Sequence, residues 1–521
     1  MDGTTGTPAA SPEHLDVLIV GAGISGIGAA YHLREQCPSK SFVVLDALED
    51  FGGTWRTHRY PGVRSDSDLY TFGYRFKPWT GTPIASAEEI LRYLGEVIDE
   101  NDLAPHIRYR HRILSADWDS VTALWTVLAE RTDIGVQVRF TANFLWMCQG
   151  YYRHERGYTP DWPNMDAYQG RIVHPQTWPD DVDYKDKRVL LIGSGATAAT
   201  LLPAIADEAA HVTLLQRSPT YFIPGRNAND IADALNALEI DPVWTHEIVR
   251  RQILKEQAAF TQRAFEEPHA VKAELLAGVS AFVGPEITAK HFTPRYLPWR
   301  QRIAFVPDGD LFQSVLSGKA SIADGEIETF TPTGVRLKTG EALDADLIIT
   351  ATGFDISVLG EIAFSVNGEP VDPAQTVTYR GMMFTGLPNL AWIFGYFRAS
   401  WTLRVDLVAD FVCRLLNHMD ANGDRAVEVV LRPQDRDMVR LPWVEAENFN
   451  PGYLQRGMDR LPRRGDAEEW RHTQDYWAER KDLPAIDLDG PEFAYEWGKR
   501  PTVVRTGGEA MTSQLADAAG G

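Results

Sequence analysis

Two stretches of the chain share one pattern of apolar and polar positions: a short apolar run breaks directly into a glycine-rich turn, and helical spacing follows. Residues 17–20 lead into GAGISG at 21–26, and residues 189–192 lead into GSGATA at 193–198. An unbroken apolar run of this length is typical of a strand buried on both faces of a parallel sheet. A strand, a glycine turn and a helix in this order let a pyrophosphate approach the backbone at a helix N-terminus. The pattern therefore predicts two dinucleotide sites.

The two units differ at the end of their second strand. In the first unit the strand 42–45 ends at Asp46, 20 residues beyond Gly26, where a carboxylate accepts hydrogen bonds from a ribose. In the second unit the strand 212–215 ends at Gln216 and Arg217. An acid would repel a ribose 2′-phosphate, whereas an arginine pairs with it bidentately. The second site is therefore predicted to prefer NADPH to NADH.

The rest of the pattern predicts an α/β protein with two Rossmann-like dinucleotide-binding domains and a helical insertion. Helical spacing marks 87–99 and 403–419, and strand-like runs at 110–118, 124–129 and 137–147 form a meander that completes the first domain. The predicted division is a disordered leader (1–12), a first domain (13–150 and 375–504), a second domain (151–227 and 291–374), a helical insertion (228–290) and a disordered tail (505–521).

Composition limits the classes of partner. A chain of 521 residues is too long for one core, and 44% hydrophobic with 24% charged residues is typical of a globular protein. The net charge of −21, with no basic stripe to offset it, argues against nucleic acid and against anionic membrane surfaces. A small molecule is the expected partner, and the sequence does not indicate an oligomeric state.

Cysteine usage and hydropathy add to this picture. The three cysteines, Cys37, Cys148 and Cys413, are far apart in sequence, which argues against disulfides, a CxxC redox centre or a thiolate metal site. No metal is expected, and the predicted compartment is reducing, hence cytoplasmic. No uninterrupted apolar run reaches ~18 residues, so no membrane span is predicted.

Two further motifs carry a family resemblance. The connector, residues 168–179, has Tyr168, Gly170, His174 and Trp178 at the spacing F-x-G-x-x-x-H-x-x-x-W-[PD], with tyrosine in place of phenylalanine. The loop 52–66 fits G-G-x-W-x-x-x-x-Y-P-G-x-x-x-D. From about residue 14 to 500 the chain resembles the type I flavin-dependent Baeyer–Villiger monooxygenases. Within that family the chain is most similar to the mycobacterial branch that activates thioamide prodrugs, with which it shares sequence segments such as HPQTWPDDVDY and LLQRSPTY.

The resemblance implies site residues. The FAD site would comprise Gly21, Gly23, Ser25, Gly26, Asp46, Thr54, Trp55, Asp66, Tyr70 and the backbone near Ile113. The NADPH site would comprise Gly193, Gly195, Ala196, Thr197, Arg217 and Ser218, with Arg302 flanking the flavin on the nicotinamide side. Gly170, His174 and Trp178 would act in the hinge, and Trp401 and Leu403 would lie in the substrate pocket. Gln301 stands where many members have lysine.

The resemblance also implies chemistry. NADPH and O2 would be used to convert ketones into esters or lactones through a flavin peroxide, with sulfoxidation of sulfides as a side activity. Arg302 would be the catalytic cation, held by Asp66. The alternatives are a monooxygenase that oxygenates nitrogen or sulfur, and a flavin-binding sensor without turnover. A disulfide reductase is disfavoured because no cysteine pair is present.

Overall fold

The computed structural model describes residues 12–496 and contains two main sheets with helices packed on them. The α/β class with two Rossmann-like units is therefore confirmed. The expected leader, apart from Pro12, and the expected tail lie outside the described residues. No helix within residues 12–496 combines the length and the apolar character that a bilayer crossing requires.

The first sheet has a parallel core and an antiparallel extension. Glu13–Val20 pairs in parallel with Phe42–Leu45 on one side and with Val136–Met147 on the other. The predicted meander is observed as His111–Asp119, Leu124–Arg131 and Val136–Met147. The strand order is Glu369–Pro370, Ala363–Val366, His111–Asp119, Leu124–Arg131, Val136–Met147, Glu13–Val20, Phe42–Leu45 and Ile107–Arg108, with Leu390–Trp392 beside the last residues of Val136–Met147.

The second sheet is parallel throughout its described strands. Its order is Ala320–Asp324, His211–Gln216, Arg188–Ile192, Leu347–Thr350 and Arg171–Val173. The apolar runs are as buried as predicted, because both faces of the sheet are covered: Leu190 and Leu191 are at most 1% exposed. Leu191 packs with helix Ala196–Ile205 on one face, and Leu190 packs with strands of the meander 327–344 on the other. The connector contributes the edge strand Arg171–Val173, so part of the expected joint is built into this sheet.

Smaller strand pairs complete the β structure. They are Tyr221–Gly225 with Ile303–Pro307, Thr378–Tyr379 with Met383–Phe384, Ala426–Val429 with Phe493–Glu496, and the meander Ile327–Thr331, Gly334–Leu337 and Ala342–Asp344.

The chain crosses between the sheets along two adjacent segments. Tyr152 and Ile356 form an antiparallel bridge, and the Ser357 amide donates to the Tyr151 carbonyl at 3.0 Å. The return to the first sheet is complete when Ala363–Val366 pairs with the strand His111–Asp119. A strand that the expected boundary at 374/375 assigns to the second domain thus adds to the first sheet. We propose a boundary near residue 357.

The principal helices agree with the predicted spacing. Helix Ala87–Glu100 begins with a reciprocal Ser86–Glu89 capping box, and the predicted helix 403–419 is observed as Thr402–Asn422. The α-helices are Ile24–Gln36, Thr54–Thr57, Leu69–Phe72, Ala87–Glu100, Ala196–Ile205, Asp230–Ala237, Pro242–Glu266, Pro268–Val283, Pro285–His291, Asp310–Leu316, Thr402–Asn422, Gly452–Gly457 and Tyr476–Asp482.

The helical insertion bridges the two domains. Val249 and Ile253 of its long helix belong to the core of the first domain. Val271 and Leu275 of the next helix pack on Tyr221, beyond the second sheet. The buried guanidinium of Arg250 donates to backbone carbonyls of residues 70, 71 and 73, which satisfies a cation that would be costly to bury alone.

Candidate active site

The first glycine turn, residues 21–26, is built for close backbone approach. A Cβ at Gly26 would overlap the carbonyl oxygen of Gly21, so only glycine fits there. The helix that follows, Ile24–Gln36, has Gly23 as its N-cap and no side chain that caps it. Its first amide groups are therefore available to an anion such as a pyrophosphate.

Asp46, at the end of the next strand, contacts this turn through its carboxylate. Its carboxylate accepts hydrogen bonds from the Ala22 amide at 2.6 Å and from the Leu48 amide at 2.7 Å. Burial raises the pKa of Asp46, while these two bonds oppose that shift. The carboxylate also faces a cavity, where a ribose could share it.

This cavity has a volume of about 780 Å³ and receives most of the predicted flavin residues. Those that line it are Gly21, Gly23, Ser25, Asp46, Thr54, Trp55, Asp66, Ile113 and Arg302. Trp401, which was predicted for the substrate pocket, lines the same cavity. A strand irregularity between Ile113 and Ser115 interrupts the ladder at the cavity wall. The cavity thus combines a glycine turn, free amide groups at a helix N-terminus and the Asp46 carboxylate. The first two fit a pyrophosphate and the third fits a ribose, so together they fit FAD.

Three residues predicted for this site do not line the cavity. Gly26 packs behind the turn against Gly21. Tyr70 is 2% exposed and stacks on His246 of the helical insertion at 5.8 Å between ring centroids. Leu403 is buried against Leu254 and Tyr396, so it lies behind the pocket while Trp401 lies in its wall.

The second glycine turn, residues 193–198, repeats the local design in a more open setting. A Cβ at Gly193 would overlap the carbonyl oxygen of Ala351, whereas a Cβ at Gly195 would meet nothing within 4 Å. Ala196 and Thr197 begin the helix Ala196–Ile205, whose N-cap is Gly195 and which no side chain caps. The Ser194 hydroxyl donates to the Ser218 carbonyl at 2.6 Å and so ties the turn to the next strand end.

Arg217 follows that strand end and is exposed. This exposed guanidinium, next to an uncapped helix start, forms a donor set that fits a phosphorylated dinucleotide. The predicted NADPH residues are thus brought together, and their individual roles remain predictions.

The connector is held by hydrogen bonds and packing. The Nδ1 atom of His174 accepts from the Gln176 amide, and its Nε2 atom lies 3.2 Å from the Gly353 carbonyl, to which it can donate as the neutral tautomer. Burial lowers the pKa of His174, which favours that neutral form. The Gly170 backbone packs on the ring of Tyr168, and Trp178 packs on the core of the second domain. These contacts agree with a structural role for His174.

The loop 52–66 spans both domains. Its Tyr60 and Val63 belong to the core of the second domain, and Arg64 donates to Asp310 at 2.6 Å. Thr54 and Trp55, at its other end, line the cavity of the first domain. Asp66 is therefore positioned where the two domains meet.

Arg302 meets Asp66 at this junction. The Nε atom of Arg302 lies 3.7 Å from Oδ2 of Asp66, and the Arg302 side chain is 41% exposed because it faces the cavity. The negative charge of Asp66 raises the pKa of Arg302 above its usual value, so the guanidinium stays charged. Arg302 makes no hydrogen bond with any residue between 12 and 496. Its N–H groups are therefore available to a ligand.

Sequence reasoning missed many of the cavity residues, among them Tyr151, Tyr152 and Tyr453. A signal existed for the first two, because a pair of tyrosines directly after Gly150 stands at the predicted domain crossing. Nothing in the sequence pattern singles out Tyr453, which reaches the site from a distant helix, Gly452–Gly457.

Comparisons with known proteins agree with this geometry. Residues 19–83 match a NAD(P)-binding Rossmann-like domain, and residues 82–231 match a flavin-binding monooxygenase-like family. The chain is 44% identical over 498 residues to the FAD-containing monooxygenase EthA of Mycobacterium tuberculosis, covering 94% of this chain and 99% of that protein. It is 42% identical over 473 residues to the probable FAD-binding monooxygenase AlmA of an Acinetobacter species, covering 90% and 94% respectively.

Solved structures are similar over most of the chain. An oxidised steroid monooxygenase bound to NADP matches with a TM-score of 0.74 and 25% identity, covering 92% of this chain and 99% of that one. A cyclohexanone monooxygenase from Rhodococcus, bound to NADP+, matches with a TM-score of 0.69 and 22% identity, covering 93% and 99%. At that identity the second likeness supports the fold alone.

Proposed function

Because the chain belongs to the family of FAD-containing monooxygenases, we propose that it is a Baeyer–Villiger monooxygenase that uses NADPH and O2 to convert ketones into esters or lactones. One oxygen atom of O2 enters the product beside the former carbonyl carbon, and the other leaves as water. NADPH provides the two electrons, and one proton is taken from solvent. Sulfoxidation of sulfides is the proposed side activity.

The cofactors of this flavin-dependent enzyme are FAD and NADP(H). The first glycine turn and Asp46 would hold FAD, and the second glycine turn would hold NADPH with Arg217 at its 2′-phosphate. FAD supplies, when bound, the transfer of electrons from NADPH to O2. The protein's contribution is to position both nucleotides and the substrate and to provide the charges around the reacting carbonyl.

Arg302 is the observation on which the proposal rests. It is a fixed cation in the cavity wall, balanced by Asp66 at 3.7 Å and left with N–H groups that no residue among 12–496 occupies. Addition to a ketone turns the carbonyl oxygen into an oxyanion in the transition state. A preorganised guanidinium stabilises that developing charge more than it stabilises the neutral ketone, which is the condition for catalysis.

Asp66 is the proposed positioning residue. A separation of 3.7 Å is longer than a hydrogen bond, so Asp66 fixes the location of Arg302 through charge without occupying its donors. The pair joins the loop 52–66 to the segment that precedes the strand Ile303–Pro307, so it can adjust when the domains move.

Replacement of Arg302 by alanine tests the proposal. We expect Arg302→Ala to retain FAD and NADPH-dependent flavin reduction but to lose ester formation by about a hundredfold or more, as removal of an oxyanion-stabilising donor does elsewhere. The measurements are stopped-flow reduction under nitrogen and ester yield by mass. Arg295→Ala is the matched control, because Arg295 lies in the same segment, is exposed and does not line the cavity.

The same variant separates the proposed function from its nearest alternative. Oxygen transfer to a sulfide creates no carbonyl oxyanion, so sulfoxide formation should survive in Arg302→Ala. Full ester yield from this variant would remove Arg302 from the mechanism. A wild-type enzyme that forms sulfoxides but no ester from any ketone would favour the N- or S-oxygenating monooxygenase.

The proposed partners are a small ketone or sulfide and O2. A cytoplasmic location stays a prediction that rests on cysteine usage: Cys37, Cys148 and Cys413 are all buried and free.

A further inference from the structure

Arg456, on helix Gly452–Gly457, is a cation at the crossing between the two domains. Its Nη2 atom donates to the Phe354 carbonyl at 3.2 Å. Its guanidinium carbon lies 3.4 Å from the centroid of the Tyr158 ring, so the two groups stack. A Cβ at Gly353 would lie 3.6 Å from the same Nη2 atom. The fold therefore holds Arg456 against residues 353 and 354.

The segment 351–354 leads from the second glycine turn to the cavity of the first domain. At one end, the Ala351 carbonyl oxygen contacts the turn, since a Cβ at Gly193 would overlap it. At the other end, Phe354 lines the cavity. A dinucleotide with its pyrophosphate at the second turn must extend along this segment if its nicotinamide is to reach a flavin in the cavity. Arg456 lies beside that path.

The guanidinium of Arg456 is available to an anion. The side chain is exposed and forms no ion pair with any residue between 12 and 496. Stacking on Tyr158 uses the flat face of the guanidinium, and the N–H groups that do not bond to Phe354 remain in its plane for a ligand. Burial of part of the side chain lowers the pKa of Arg456, and the positive charge of Arg217 lowers it further. Two neighbouring cations repel each other, and a bound polyanion would remove this repulsion.

We propose that Arg456 binds the pyrophosphate of NADPH across the domain crossing, while Arg217 binds the 2′-phosphate. In the second sheet, the strand that ends in the second turn lies between the strand that precedes Arg217 and the strand that precedes the segment 351–354. The two arginines therefore flank the turn on opposite sides. Leu454 of the Arg456 helix packs in the core of the first domain, so each domain would contribute one phosphate-binding arginine.

The overall charge of the chain makes such local cations necessary. With a net charge of −21, the protein repels a phosphorylated dinucleotide unless arginines offset that field at the site. The inference rests on the proposed placement of NADPH at the second turn, and it adds a residue from the other domain to that site.

Nucleotide affinity in the absence of turnover tests the inference. The probes are NADP+, titrated calorimetrically into the FAD-loaded enzyme, and adenosine 2′-monophosphate, measured by its displacement of NADP+. The second probe carries the 2′-phosphate but no pyrophosphate. Arg456→Ala should weaken NADP+ binding by about tenfold and leave the affinity for adenosine 2′-monophosphate unchanged. Arg217→Ala should weaken the binding of both probes.

Two further variants serve as controls. Arg456→Lys keeps the positive charge but not the planar fork, so it should bind NADP+ more tightly than Arg456→Ala does. Arg460→Ala removes a nearby guanidinium that pairs with Glu361 at 3.8 Å and does not line the cavity, and it should bind both probes as the wild type does. Flavin absorbance checks that every variant retains FAD.

Two outcomes would overturn the inference: unchanged NADP+ affinity in Arg456→Ala, or equal weakening of both probes, which would place Arg456 at the 2′-phosphate. A wrong placement of NADPH would look different, because Arg217→Ala would then leave both affinities unchanged. Failure of the proposed ketone oxidation would leave all the expected affinities intact, and the wild type would form no ester.

Discussion

The two glycine turns have the same local design but different surroundings. Around the first turn, Asp46 accepts from the Ala22 amide, and the indole of Trp401 donates to the Ser25 hydroxyl at 2.7 Å, so residues far away in sequence enclose it. Around the second turn, Gly195 faces open space and Arg217 is exposed. We propose that the same motif supports two uses: the enclosed first turn retains its nucleotide, and the open second turn exchanges it.

The largest expected contrast comes from placing a methyl group in each turn. In Gly26→Ala the new Cβ overlaps the Gly21 carbonyl oxygen, so the turn must distort, and we expect purified protein to contain less than about a tenth of the wild-type FAD. In Gly195→Ala the methyl group meets no protein atom within 4 Å, so FAD content should be unchanged. It would occupy the approach of the pyrophosphate, and the KM for NADPH should rise about tenfold.

The absorbance ratio at 450 and 280 nm measures FAD content, and steady-state oxidation of NADPH gives the KM. Full flavin content in Gly26→Ala would show that the first turn is not the FAD site. Loss of flavin in Gly195→Ala would contradict the assignment of the second turn to a separate nucleotide.

The strand ends sharpen the comparison further. The position of Asp46 in the first unit is held by Gln216 in the second, with Arg217 beside it. Of these side chains, only the arginine can pair with a 2′-phosphate. Arg217→Ala should raise the KM for NADPH by roughly 10- to 100-fold and change the KM for NADH much less, since NADH lacks that phosphate. Initial rates with both nucleotides measure this effect.

A surface arginine of the same domain provides the control for this variant. Arg336→Ala removes a guanidinium that pairs with Glu328 at 2.6 Å, and it should alter neither constant. Equal effects of Arg217→Ala on NADPH and NADH would mean that Arg217 does not contact the 2′-phosphate.

Both turns could be predicted because strand, turn, helix and following strand are adjacent in sequence. The point at which the chain returns to the first sheet could not be predicted in the same way. Ala363–Val366 joins the first sheet by pairing with His111–Asp119, and no local pattern indicates that partner. The connector strand Arg171–Val173 likewise obtains its place from Leu347–Thr350, which comes much later in the chain.

The candidate site divides in the same way. Motifs locate the backbone of the loop 52–66 and the arginine at 302, but side-chain direction depends on tertiary packing. Tyr70 turns toward the helical insertion, where it stacks on His246, and Leu403 faces the same insertion through Leu254. Tyr453 shows the opposite case: no motif predicts it for the site, but tertiary packing of the short helix Gly452–Gly457 places it in the cavity wall.

The smallest expected effect concerns the helices that follow the two turns. Helix Ala196–Ile205, after the second turn, carries no ionisable side chain. On helix Ile24–Gln36, after the first turn, His32 pairs with Asp406 at 3.2 Å and with Asp410 at 3.4 Å, both on helix Thr402–Asn422. Arg250 also lies 3.9 Å from Asp406. Burial alone would lower the pKa of His32, but the two aspartates outweigh it and raise the pKa from 6.5 to about 9. A histidine whose folded pKa is raised stabilises the fold fully below pH 6.5 and loses that contribution as pH rises through 9. Because Asp410 is 54% exposed, screening reduces the contribution to about 1–2 kcal/mol.

Urea unfolding at a series of pH values measures this contribution. The free energy of unfolding of the wild type should fall between pH 6.5 and 9.5 by an amount that His32→Gln does not lose. Parallel curves for the two proteins would show that this ion pair does not anchor the helix that follows the first turn.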